Sequence, residues 1–535
     1  MESLSSVSAA DFFPERDEHE LIDEAAMAKI RSPKIIFFII VSYIYFTKIA
    51  IFALIMANPL KQLAGQTMIY GLSTILARII NFLFVPIYTR LLTPENYGVV
   101  TEFMAYIAVL QVVLVLGLET GCFRFANKEG IDPKKVYSSA FVTVFCVSAT
   151  FLALMLAFAT PIASALGYDG YQACIKCMGG ILVMDAVTAI LFAKLRQENK
   201  ALKFAIFKTI KIITETVANL MLFLWVPKHY AVTADFSFVI YAIFISCVVC
   251  TLLFVPDFLR LSFRLDPKLT RQMLAYSLPL MVAALPGVVN DFLDRILFRY
   301  FDTNADAWRS SLGLYQAAVK LAVIMNLFIQ MFRYAAEPFF FRRAREKDSK
   351  ELYASVQEYF TAFCGLVFLG VILYIDIISL ILGPQFRSAV GVVPVMLLSY
   401  MLLGMLFNVS MWYKLSGKTN MAIWITLSGL VVTAIIIVLF MPKYSYWAAA
   451  YGHLASYVVM FAISSFLGAK YYPIPYRWGR LAAIFVLMGA VYGVSMLVDP
   501  VLFPGASGAM LLAKLGLHTV LIFGYLFGAW RIIRK

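Results

Sequence analysis

Apolar stretches of roughly 20 residues recur along this chain from end to end, separated by short loops. At 1.5 Å per residue, a helix of that length crosses the ~30 Å hydrocarbon of a bilayer. In hydrocarbon every backbone N–H and C=O must find a partner, which leaves only helices or a closed barrel. A barrel requires period-2 alternation, and no such pattern is present. The chain is therefore expected to be an all-α polytopic membrane protein. Its 62% apolar and 14% charged composition agrees, because a soluble chain of 535 residues would need far more polar surface. A net charge of +14 would suit nucleic acid. The basic residues, however, fall in short loops between spans, as in membrane proteins, so nucleic acid is excluded as a partner.

Fourteen spans are expected, at 66–89, 97–118, 138–160, 172–193, 204–225, 236–257, 273–299, 313–335, 355–382, 390–412, 421–441, 446–468, 480–498 and 510–530. One set of alternate loops holds clusters such as Lys194, Arg196, Lys200 and Lys203. The other set holds only Arg90, Lys228, Arg299, Arg309, Arg387 and Lys443. By the positive-inside rule the clustered set is cytoplasmic, and so are both ends of the fourteen-span core. Residues 1–56 form an N-terminal extension with a candidate extra hydrophobic helix at 35–56, interrupted by Lys48. The run MANPLKQ at 56–62 reads as a fresh start, so residues 1–55 are expected to be dispensable. A deletion that abolishes activity would refute this.

A weak repeat is visible. NYGVVTEFMAYIAV (96–109) resembles SLGLYQAAVKLAVI (311–324), aligning Gly98 with Gly313, and GCFRFANKE (121–129) resembles QMFRYAAEP (330–338), aligning Arg124 with Arg333. Both members enter the membrane from the same side. That predicts two pseudo-symmetric six-helix lobes, 57–265 and 266–470, related by an axis along the membrane normal, with an added helix pair at 471–535.

Charges inside spans are expensive. An arginine facing lipid costs about 2.5–3.5 kcal/mol even on the mildest scale, so such groups mark a cavity, a partner or a path. In the first span Thr67, Gly71, Thr74, Arg78 and Asn81 share a face, with Arg78 too deep to reach water easily. In the fifth, Lys208, Lys211 and Glu215 share a face, and Asp185 on the fourth is a central carboxylate able to meet a cation there. Snorkelling or a Lys211/Glu215 i,i+4 pair is the plainer account of that group. The seventh span carries Asn290, Asp291, Asp294 and Arg295, spaced as two i,i+4 pairs. They either neutralise one another or offer a carboxylate to a coupling H⁺ or Na⁺. The eighth aligns Asn326, Gln330, Arg333 and Glu337 on one stripe, with Lys320 off it. Prolines 86, 279, 286 and 394 lie in or near spans, where a freed carbonyl favours a bend. Two CxxC pairs, Cys174/Cys177 and Cys247/Cys250, fit small packing residues one turn apart better than zinc, since the four histidines are scattered. No metal site, catalytic dyad or nucleophile is expected.

The run GQTMIYGLSTILARIINFLFVPIYTRLLTPENYGVVTEF, then GLETGCFRFANKE, NDFLDRILFRYF, LGLYQAAVKLA and MFRYAAEPFFFRRA resembles the bacterial polysaccharide-biosynthesis (Wzx-type) flippases. These belong to the superfamily of multidrug, oligosaccharidyl-lipid and polysaccharide exporters. The resemblance spans about residues 57–470 and is specific in four or five places; the N-terminal extension departs from it. It implies two lobes around a cavity, alternating access, and an undecaprenyl-diphosphate-linked oligosaccharide flipped across the bacterial inner membrane, as in O-antigen, capsule or exopolysaccharide assembly. It also implies membrane lipids and glycan-assembly proteins such as a polymerase as neighbours, and a monomer. An anionic diphosphate would be held by cations facing a shielded cavity: Arg78, Lys211 and Arg333, with Arg124 and Lys320 behind them. Glu215, Asp291, Asp294 and Asp185 are the candidates for ion coupling or charge balance. A cation-coupled multidrug exporter would share the fold, but would favour carboxylates where the first span offers Arg78. A membrane polymerase would need a large loop, and none is present.

Overall fold

The computed structural model describes residues 78–230, 232–261, 263–303, 306–343, 346, 348–504 and 508–534. The expectations for the extension, and for most of the first span, lie outside them. All described residues belong to one compact unit. They form helices and connecting loops, with no strand among them.

After α1 (Val85–Leu91) come thirteen helices long and apolar enough to cross a membrane: α2 (Pro94–Ala126), α3 (Pro133–Ala157), α4 (Gln172–Gln197), α5 (Ala201–Tyr230), α6 (Phe236–Leu253), α7 (Pro267–Phe301), α8 (Trp308–Arg343), α9 (Ser349–Leu373), α10 (Pro384–Leu415), α11 (Met421–Tyr444), α12 (Tyr446–Tyr471), α13 (Trp478–Leu502) and α14 (Met510–Arg534). Each matches one predicted span from the second onward. Several starts share a local device: Thr93, Asp132 and Asp266 cap α2, α3 and α7 with side-chain oxygens, and a proline follows each directly. Proline at the first helical position sacrifices an N–H that has no partner there anyway. Pro279 and Pro286 sit inside α7, which remains one helix.

Packing is dense both within and between the two predicted halves. Helices α2 to α6 contact one another, as do α7 to α12, while α13 and α14 lie on α9. That last contact is polar as well as apolar. Glu358 on α9, 1% exposed, accepts from Arg477 at 3.2 Å and from Arg480 at 3.2 Å. Tyr525 of α14 donates to the Ala362 carbonyl at 2.9 Å. His518 of α14 places one ring nitrogen on the Leu373 carbonyl and the other 3.0 Å from Asp499 of α13.

The halves meet where α8 and α7 pack against α2. A Cβ on Gly98 would lie 1.9 Å from the Arg309 carbonyl oxygen, and a Cβ on Gly313 would lie 1.8 Å from that of Pro94. The contact is reciprocal and joins the two residues that the sequence repeat aligns. That is the geometry a twofold axis imposes on equivalent positions. Further along, α2 breaks at Leu116 (φ 56°) and Gly117 (φ 65°), where a Cβ on Gly117 would stand 2.6 Å from the Ser277 carbonyl of α7. The break was not foreseen. It lets α7 pass close to α2.

Candidate functional site

Three polar groupings occupy the interior. The first is cationic. Lys320 on α8 lies within coulombic reach of Arg295 on α7 and of Arg78. Twelve residues into α8, Lys320 stands about 18 Å along that helix, near the middle of a ~30 Å core. Among the described residues it makes no ion pair. The Arg295 guanidinium packs 4.5 Å over Phe292 and reaches Asp294 only at 3.9 Å.

The second grouping lies inside the α7–α12 half. Asp294, 1% exposed, accepts from the Arg295 backbone N–H at 2.8 Å and lies 3.1 Å from His453 Nε2 on α12. Asn290 accepts from Thr433 of α11 at 2.7 Å, and Asp291 accepts from Tyr457 of α12 at 3.2 Å. The i,i+4 pairs expected along α7 are therefore not what holds these groups. α11 and α12 pack against that face of α7 and supply nearer partners.

The third grouping joins the halves at the end bearing the sparsely charged loops, the sparse face. Glu102 of α2 has no exposed surface. It accepts from Arg299 Nε at 2.9 Å and Nη2 at 2.6 Å, from Tyr106 at 2.8 Å, and from Tyr168 in the α3–α4 connection. Burial, and then the adjacent carboxylate, push the Tyr168 hydroxyl well above its usual range, so it remains a donor. Arg299 also donates to the Leu166 carbonyl at 2.9 Å, and Arg309 to Gly167 at 2.8 Å. Beside this network Arg90 donates to the Leu380 and Ile381 carbonyls, and Thr89 accepts from the Gly383 N–H at 3.0 Å. In this conformation the lobes are bonded together on the sparse face.

The remaining predicted residues separate. Lys211 is paired with Asp185 of the preceding helix at 2.5 Å rather than with Glu215 four residues on, and Cys247 stands 3.5 Å from the same carboxylate. Glu215 lies within coulombic reach of Lys211 and of Tyr88. Lys208 sits 4.3 Å over Phe192. Arg124 packs 4.1 Å over Tyr276 at the basic face, away from the Lys320 grouping. Glu337 is bound by Lys414 at 2.5 Å, so Arg333, four residues back, is left stacked 4.4 Å over Phe407. Of the CxxC residues, Cys174 is buried 3.9 Å from the Tyr241 hydroxyl. Sequence reasoning missed Glu102, Arg299 and His453. A carboxylate alone within the predicted span 97–118 was the available signal for the first.

A family described as "Polysaccharide biosynthesis protein" matches residues 63–344, over half of the chain. A solved structure of the lipid II flippase MurJ in an inward closed conformation is 13% identical, with a TM-score of 0.66 over 88% of this chain and 100% of that one. An inward-facing multidrug resistance MATE family transporter of the MOP superfamily is 12% identical, with a TM-score of 0.52 over 80% of this chain and 98% of that one. Both likenesses concern the fold. No curated protein matches the chain.

Proposed function

Because the chain belongs to the polysaccharide biosynthesis protein family, and is thus a membrane transporter, we propose that it flips an undecaprenyl-diphosphate-linked oligosaccharide between leaflets of the bacterial inner membrane by alternating access. The observation that carries this reading is Lys320, which stands near mid-membrane within coulombic reach of Arg295 and makes no ion pair among the described residues. Like charges collected in a low-dielectric interior repel strongly, and the arrangement becomes favourable when an anion arrives. A diphosphate supplies that charge, and the family supplies the glycan. Cations at that position also disfavour a cationic drug as cargo. In this reading the basic face is cytoplasmic and the sparse face periplasmic. The bonded sparse face then corresponds to a state that receives substrate from the cytoplasm.

Removing one charge-assisted contact weakens binding by about 1.5–3 kcal/mol, or about ten- to hundredfold. Lys320→Ala and Arg295→Ala are accordingly expected to reduce glycan export by at least about tenfold, with the lipid-linked intermediate accumulating on the inner leaflet. Normal export in both variants would overturn the reading. Loss of the intermediate itself would indicate a synthase.

For the driving ion we propose a proton, carried by the Asp294–His453 pair. The two groups already face each other at 3.1 Å inside the second lobe, so one proton can be shared or withdrawn without rebuilding the site. His453→Asn is expected to make export insensitive to a protonophore. Export that the protonophore still inhibits would refute the assignment.

A further inference from the structure

Inside the α7–α12 half is a cavity of about 450 Å³, separate from the Lys320 grouping, which the transport reading leaves without a role. Its polar lining includes Asp291, Asn326, Arg333, Tyr413, Thr426 and Tyr457. It is far too large for a bare coupling ion, and lies within the ~300–1,000 Å³ range of small-molecule sites. Its polar groups are few and convergent, and aromatic rings separate them.

Arg333 decides what the cavity suits. Its neighbour along the helix stripe, Glu337, is already bound by Lys414. Among the described residues no carboxylate stands within ion-pair distance of the Arg333 guanidinium, which lies flat over Phe407 at 4.4 Å. Stacking occupies the face of a guanidinium and leaves its in-plane N–H groups able to grip a carboxylate by two parallel bonds. At another part of the cavity Asp291 accepts from Tyr457 at 3.2 Å, and Asn326 accepts from Gln330 at 3.2 Å. Such acceptors suit sugar hydroxyls, while the ring of Tyr413, which lines the cavity, offers flat apolar surface to a pyranose.

We propose that this cavity is a subsite for a carboxylate-bearing hexose of the transported glycan, with Arg333 binding the carboxylate. The inference rests on the flippase reading and sharpens it: the repeat unit carries a uronic acid or a similarly acidic sugar. A lipophilic cation drawn to Asp291 is the competing occupant.

The test uses the full-length protein in lipid nanodiscs and saturation-transfer NMR with methyl β-D-glucuronide and methyl β-D-glucoside. The glucuronide is expected to bind at least about tenfold more tightly, the gain from a charge-assisted pair. Arg333→Gln is expected to erase that preference. As a second variant, Gly287→Leu fills the cavity: Gly287 lines it, and an added Cβ there would meet only Thr426, at 3.8 Å. This variant is expected to abolish binding of both glycosides. Equal affinities, no binding of the glucuronide, a preference surviving Arg333→Gln, or displacement of the glucuronide by tetraphenylphosphonium lost in Asp291→Asn, would overturn the proposal. Failure here alongside intermediate accumulation in Lys320→Ala leaves the flippase reading standing. Normal export in Lys320→Ala and Arg295→Ala removes that reading whatever the glycosides do.

Discussion

Arg299→Ala is expected to unseal the sparse face. Glu102 would keep its tyrosine donors but lose both guanidinium bonds while remaining fully buried. Breaking one side of a buried pair costs about 3–5 kcal/mol, because the remaining charge stays uncompensated. A penalty confined to the bonded conformation shifts its population against the open one by about two to nearly four orders of magnitude. Ala105 lies on the same α2 face as Gly98 and Glu102 and has no exposed surface. An Ala105→Cys probe, in a background lacking exposed Cys146, should be protected from a membrane-impermeant maleimide applied at the sparse face. Protection should vanish in Arg299→Ala. The paired change Glu102→Gln with Arg299→Met should restore much of it, since neither charge is then left alone. Unchanged labelling in Arg299→Ala would show that the seal rests elsewhere.

Gly313→Leu should act more bluntly. The first carbon of any side chain there would fall 1.8 Å from the Pro94 carbonyl oxygen and 2.9 Å from the Gly98 nitrogen. Both obstacles are backbone, so no rotamer change relieves them and α8 must move away from α2. Overpacking of this kind costs about 1–3 kcal/mol or more. Export is expected to fall to background, the Tm in detergent to drop by several degrees, and the Ala105→Cys probe to become labelled. Gly313→Ala should show the same effects in weaker form. Wild-type export and Tm in Gly313→Leu would mean that the helices can separate at little cost.

Much of this architecture was legible because hydrophobic length is a one-dimensional signal. Each described membrane-length helix falls on a predicted span, and the T-P and D-P pairs at 93–94, 132–133 and 266–267 mark helix starts. The weak repeat also carried more than topology, since Gly98 and Gly313, which it aligns, touch. Partners were harder to read. Helix phase shows which side chains share a face, but not which neighbouring helix meets that face. Hence Asp294 could be matched with Asn290 by spacing, yet it lies 3.1 Å from His453, 159 positions further along the chain. Arg299 looked like an ordinary loop cation because its acceptor, Glu102, is 197 residues away. Lys211 and Asp185 were recoverable because they occupy consecutive helices, where adjacency is the default.

The break in α2 stores energy. Leu116 holds a left-handed backbone at φ 56°, a conformation that places Cβ against the following carbonyl at a cost of about 1–2 kcal/mol outside glycine. Helix resumes two residues later, so the strain sits at a joint between two rigid rods rather than at a frayed end. The rod on one side carries Glu102 and the bonded sparse face; the rod on the other carries Arg124 over Tyr276. A single continuous α2 would recover that strain. Leu116→Gly would relieve that strain without removing one bond from the seal.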